Sequence, residues 1–152
     1  MYKRQEASVG LGAILGDAVG YEMRAFMEFA KNCGYAYQIR DDILGSFGDE
    51  KVTGKPSDSD IRKGKKTILT IKAKQFGGKE SLILDELLGK EDMTEEEVET
   101  VRNIFIDTGA LDYAENLVRE FSERAKKPIR NLEIGERRFF IDLVDYLADR
   151  RM

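Results

Sequence analysis

"YQIRDDILGSFGDEKVTGKPSDSDIRKGKKT" (residues 37–67) places the paired carboxylates Asp41 and Asp42 ahead of a lysine-rich stretch. Lys55, Lys63, Lys65 and Lys66 follow, loosened by Gly54, Pro56 and Gly64. The start of this segment continues a helical stripe, because Met23, Phe26, Met27, Ala30, Cys33, Gly34 and Tyr37 recur at spacings of three and four. Its end runs into "TILTIK" (67–72), the one segment β-branched enough to suggest a strand. A single strand makes no sheet, so this segment is expected to be helical in its tertiary context.

The rest of the chain repeats the helical spacing. Thr94 and Glu97 form a capping box that opens a helix through Val98, Val101, Ile104 and Phe105, with Thr108-Gly109 as its stop. A further helix is expected from Leu111 to Lys126 on Ala114, Leu117, Val118, Phe121 and Ala125, broken or restarted at Pro128. Phe139, Phe140, Leu143, Val144 and Leu147 mark the last stripe, which ends in "ADRRM", where basic residues suit a helix C-terminus. No repeat, low-complexity tract or linker interrupts the pattern. The fold class is all-α, in one domain over 1–152.

Composition narrows the function. At 152 residues, with 41% hydrophobic and 36% charged residues, the chain is long enough to bury a core and reads as globular. It contains no histidine, which excludes histidine-based catalysis and His-ligated zinc, and the single Cys33 suits a reducing cytoplasm. A net charge of −4 argues against nonspecific nucleic-acid binding. The charge is unevenly spread: Lys55–Lys79 holds eight basic residues against two acidic, and Glu80–Thr100 nine acidic residues against Lys90 alone. The acidic run reads as a solvated face; the basic one is interleaved with glycines. Near the N-terminus, "VGLGAIL" after Lys3 and Arg4 is a poor match to a signal peptide, and no run approaches the ~18 apolar residues of a membrane span. A cytoplasmic protein is expected.

Gln38, Asp41 and Asp42 stand at i, i+3 and i+4 and share one face of a helix. Adjacent carboxylates beside an apolar stripe repel each other. A hard divalent ion resolves the repulsion, since Mg²⁺ takes one or two carboxylates together with waters and substrate phosphate oxygens. The plainer alternative has both aspartates facing water and pairing with Arg40 or Lys51, and for a bare Asp-Asp pair it would prevail. The following loop shifts the balance. Lys55 and Lys65 are ten positions apart and can converge from the two arms of a turn, each a mobile point charge for phosphate. Metal on one side and ammonium groups on the other stabilise a diphosphate leaving group. A P-loop is excluded: Ser59 stands where its first glycine is needed and Lys66 where a hydroxyl residue is needed.

These residues resemble the second aspartate-rich region of the trans-isoprenyl diphosphate synthases, the polyprenyl synthetases. The resemblance rests on Tyr37-Gln38, Asp41-Asp42, Gly54-Lys55, Asp60 and Gly64-Lys65-Lys66-Thr67, and covers about thirty residues. One position departs from the DDxxD pattern: Gly45 stands where the last aspartate is expected, and Asp49 is out of register. This is read as the weakening of one outer carboxylate.

The resemblance implies a helical bundle of the isoprenoid synthase type, of which this chain is the C-terminal half. In the family an allylic diphosphate is held through Mg²⁺ between two aspartate-rich motifs, ionises, and is attacked by isopentenyl diphosphate. By that analogy Asp41 ligates a metal directly, and Asp42 serves the metal through water or through a hydrogen bond to a group that touches it. Lys55 and Lys65 contact the diphosphate, and Gln38 lies beside the reacting carbons. The first DDxxD and the isopentenyl diphosphate pocket are absent from the chain, so a missing N-terminal half or partner subunit is expected, with a homodimer by analogy. The chain by itself is expected to be inactive. A noncatalytic helical interaction subunit derived from this fold is the alternative.

Overall fold

The computed structural model describes residues 2–48 and 57–149, so Gly54, Lys55 and Pro56 lie outside the described residues, as do Arg150 to Met152. Eight helices are present among the described residues: α1 (Tyr2–Leu15), α2 (Gly20–Phe47), α3 (Ser59–Arg62), α4 (Ile68–Phe76), α5 (Gly78–Leu87), α6 (Glu95–Asp107), α7 (Ala110–Arg130) and α8 (Arg137–Ala148). No strand occurs among them. The "TILTIK" segment is helical. Thr67, extended at φ −85°, ψ 170°, caps α4 by accepting from the Thr70 N–H, and burial of Leu69 and Ala73 outweighs β-branched propensity.

The described residues divide into two compact units, 2–40 with 117–149, and 41–48 with 57–116. In the first unit Phe29, Ala30 and Cys33 of α2 pack with Ala125 and Ile129 of α7, Leu132, and Val144 of α8. Phe140 stands edge-on to Phe29, with ring centroids 5.4 Å apart. Burying a large side chain such as Phe29, Ile129 or Val144 stabilises the unit by roughly 1.5–3 kcal/mol, the alanines less. The nearly buried Lys126 is held by Asp145 and by Glu123. Pro128 does not break α7, contrary to expectation. It lies in the last turn, where only two residues follow, and complete burial of Ile129 together with Leu132 outweighs the one lost backbone hydrogen bond. Phe139 is exposed, so the buried stripe of α8 begins at Phe140 and centres on Val144.

In the second unit α4, α5 and α6 pack on one another, and α3 packs on α6. Ile43, Ile61, Leu69, Leu84, Val98 and Phe105 are fully buried there. The capping box of α6 is formed in both directions: Thr94 accepts from Glu97 N–H, and Glu97 accepts from Thr94 N–H at 2.8 Å. Thr108 caps the end, and Gly109 turns the chain at φ +69°.

Candidate functional site

The second unit gathers most of the residues singled out from the sequence. Asp41 and Asp42 begin its share of α2, and Gln38 lies one turn earlier on the same helix. The i, i+3, i+4 spacing puts the three on one helix face. Asp41 is half-buried, and among the described residues no cation is seen to pair with it. Asp42 is buried, 8% exposed, and accepts a hydrogen bond from Lys65 Nζ at 3.0 Å. Lys65 Nζ also donates to Asp60 Oδ2 at 2.8 Å. One ammonium is therefore shared between a carboxylate of α2 and a carboxylate of α3. Burial alone would pull the Lys65 pKa down; hydrogen bonds to Asp60 and Asp42 outweigh it, so the value lies above that of an ordinary lysine.

Backbone contacts fix where Lys65 starts. Its N–H donates to the Asp60 carbonyl at 2.9 Å, and its own carbonyl accepts from Thr70 Oγ1 at 3.3 Å. Gly64, at φ +58°, crosses the backbone of Gly89, and a Cβ there would lie 3.1 Å from Gly89 Cα. Gly89 N–H donates to the Ile61 carbonyl at 3.2 Å, locking the α3 turn onto the connection after α5. Only glycine combines that φ with that approach.

Two arginines complete the frame. Arg62 donates to Asp58 Oδ2 and to the Met93 carbonyl, each at 2.5 Å, and pairs with Glu95. Arg102 donates through Nε to the Ser46 carbonyl at 2.8 Å and through Nη2 to Ser57 Oγ at 3.0 Å. One guanidinium on α6 thus holds the last turn of α2 and the residue that re-enters the described chain, the two flanks of the segment carrying Lys55. Sequence spacing does not reveal these long-range contacts, because the Met93 carbonyl lies 31 residues from Arg62 and the Ser46 carbonyl 56 residues from Arg102.

Among the described residues no group of three or more acidic, cysteine or histidine side chains converges as a ready metal cage. The donor set fits Mg²⁺ nonetheless: Asp41 supplies an oxygen donor, Asp42 a neighbouring one, and Mg²⁺ completes its octahedron with waters and substrate phosphates. Asp42 and Asp60 together keep an ammonium beside that donor pair.

Comparisons with known proteins agree with this frame. The sequence profile of the Polyprenyl synthetase family matches residues 4–105. The chain is 39% identical over 149 residues to the geranylfarnesyl diphosphate synthase of Aeropyrum pernix, covering 95% of this chain and 46% of that protein. The crystal structure of the geranylgeranyl pyrophosphate synthetase of Pyrococcus horikoshii matches with a TM-score of 0.86 at 29% identity, over 96% of this chain and 45% of that one. The geranylgeranyl pyrophosphate synthase of Corynebacterium glutamicum, crystallised with isoprenyl diphosphate and magnesium, matches with a TM-score of 0.83 at 26% identity, over 93% and 41%. The chain spans less than half the length of each of these three. On the matched residues and the shared helical fold, the chain belongs to the polyprenyl synthetase family.

Proposed function

We propose that this chain is the diphosphate-holding half of a trans-prenyltransferase that condenses isopentenyl diphosphate with an allylic diphosphate. The carrying observation is the Lys65 ammonium, held at 3.0 Å from Asp42 and 2.8 Å from Asp60 within the segment that bears Asp41. A permanently charged donor beside a carboxylate pair is what an allylic diphosphate complexed with a cation requires. Mg²⁺, when bound, neutralises the charge that develops on the departing diphosphate.

The chain's own residues divide the work. Asp41 ligates the metal, and Asp42 restrains Lys65. Lys65 leaves part of its ion pairing to contact the diphosphate, joined by Lys55 from the adjoining stretch of sequence. Gln38 presents its amide dipole to the positive charge that develops on the allylic carbons. The isopentenyl diphosphate pocket and the first aspartate-rich motif come from an N-terminal half or partner subunit, and the assembled enzyme is a homodimer in the cytoplasm. Support for a partner comes from the first unit, where Leu11, Ile14 and Leu15 of α1 and Val19 and Tyr21 beyond it are exposed. A run of exposed apolar side chains marks an interaction surface.

Isothermal titration of inorganic diphosphate in excess Mg²⁺ tests the assignment. Binding that weakens in Lys65→Ala and in Asp41→Ala supports it; equal affinity in wild type and both variants overturns it.

A further inference from the structure

The turn that delivers Lys65 follows α3, and α3 is four residues long, too short to hold itself. Its placement comes from outside. Two consecutive residues, Ile61 and Arg62, are bonded to the two ends of the connection between α5 and α6. Ile61 is buried, and its carbonyl accepts twice, from Gly64 N–H at 3.0 Å and from Gly89 N–H at 3.2 Å. Arg62 donates to the Met93 carbonyl at 2.5 Å, and Met93 is itself buried. Lys90, beside Gly89, pairs with Glu97 of α6. Residues 89–93 thus form a strap across the exit of α3.

The strap depends on Gly89. Leu88 at φ −63°, ψ 120° and Gly89 at φ +79° make a type II turn, closed by Lys90 N–H donating to the Leu87 carbonyl at 3.1 Å. Such a turn calls for glycine at its positive-φ position. Gly89 also lies against backbone: a Cβ there would stand 3.3 Å from Gly64 Cα and 3.5 Å from Gly64 N. Backbone has no alternative rotamer, so a side chain at 89 displaces the Gly64–Lys65 turn. The Lys65 ammonium bridges Asp60 of α3 at 2.8 Å and Asp42 of α2 at 3.0 Å. A displaced turn carries Asp60 with it and leaves Asp42 behind, so the Asp42 contact is the one that lengthens.

We propose that Gly89 is a positioning residue for Lys65, and that the strap after α5 sets how well the ammonium is aimed at a bound diphosphate. The inference rests on the reading of Lys65 as a diphosphate contact, and extends that site to a segment bearing none of its motif residues.

The test is a double-mutant cycle on the 152-residue chain, with inorganic diphosphate titrated in excess Mg²⁺. Gly89→Ala is expected to bind about fivefold more weakly than wild type, part of the worth of one charge-assisted contact. In the Lys65→Ala background the same change is expected to alter binding by less than about twofold, because no ammonium is left to aim. A second readout needs no diphosphate: the pH midpoint of the Lys65 Cε signal by ¹³C NMR, assigned by its loss in Lys65→Ala. In wild type this midpoint lies above that of an ordinary lysine, since hydrogen bonds to Asp60 and Asp42 favour the charged form. In Gly89→Ala it is expected to move down. Where Lys65→Ala weakens binding, Gly89→Ala binding as tightly as wild type overturns the proposal, and so does an equal loss in both backgrounds or an unmoved midpoint. If Lys65→Ala leaves binding unchanged, the diphosphate role of Lys65 falls, and the midpoint alone decides whether Gly89 positions it. If Gly89→Ala gives no cooperative thermal melt, Gly89→Asn replaces it under the same criteria, since Asn tolerates a positive φ while still adding the Cβ.

Discussion

Lys65 keeps its charge because two carboxylates outbid the cost of its partial burial, so its folded-state pKa lies above the lysine value of about 10.4 in an unfolded chain. A group whose pKa rises on folding contributes stability that is complete below the unfolded value and is lost as pH climbs through the folded one. Urea unfolding of wild type and Lys65→Met should therefore differ by a constant amount between about pH 7 and pH 9, and the gap should close above about pH 10.5. A gap that already closes by about pH 8 would mean that the ion pairing is not formed. For binding, removing one charge-assisted contact in Lys65→Ala should cost about 1.5–3 kcal/mol, read by titration with diphosphate and Mg²⁺. Cys33 is shifted the same way but for a different reason. Burial pushes its thiol up to about 11, which leaves little thiolate at neutral pH. Alkylation by iodoacetamide at about pH 8 should run about a hundredfold slower than for a free thiol and become fast in urea. Rapid labelling of the folded chain would contradict the burial of this face of α2.

At the scale of elements, the connections around α3 are held by arginines rather than by apolar area, since a four-residue helix buries little beyond Ile61. Arg102→Ala should lose the contacts to Ser46 and Ser57 together and destabilise the chain by about 1.5–3 kcal/mol in urea unfolding. Thr94→Ala, which removes one half of the α6 capping box, should cost about 1 kcal/mol by the same measurement. A loss below a few tenths of a kcal/mol in either variant would contradict the assigned role. These elements also show what could be read from the sequence. The Thr94–Glu97 box was legible because both partners are three residues apart and their chemistry is local. Asp41, Asp42 and Lys65 were legible as a set because a recognised motif supplied their relation. The bracing roles of Arg62 and Arg102 were not, since the contacts to Met93, Ser46 and Ser57 span dozens of residues and only the pairs with Asp58 and Glu99 are local. Pro128 was misjudged for the complementary reason: a local rule predicted a break, and burial of Ile129 and Leu132 prevailed. Gly45 reads from the sequence as the weakening of one outer carboxylate; that a Cβ there would meet the Asp60 carboxylate is visible only in three dimensions.

At the scale of the whole molecule, the proposed function has this chain carry the metal-and-diphosphate side of prenyl transfer and depend on the first aspartate-rich motif from an N-terminal half or partner. Electrostatic stabilisation of the departing diphosphate is the largest catalytic contribution expected, and one motif supplies only part of it. The decisive measurement is incorporation of radiolabelled isopentenyl diphosphate into acid-labile, solvent-extractable product. The 152-residue chain alone should show none, and the chain fused to the N-terminal half of a full-length relative should show activity. Asp41→Ala in the fused enzyme should abolish that activity. Robust product from the unfused chain, or a fused enzyme indifferent to Asp41→Ala, would contradict the account.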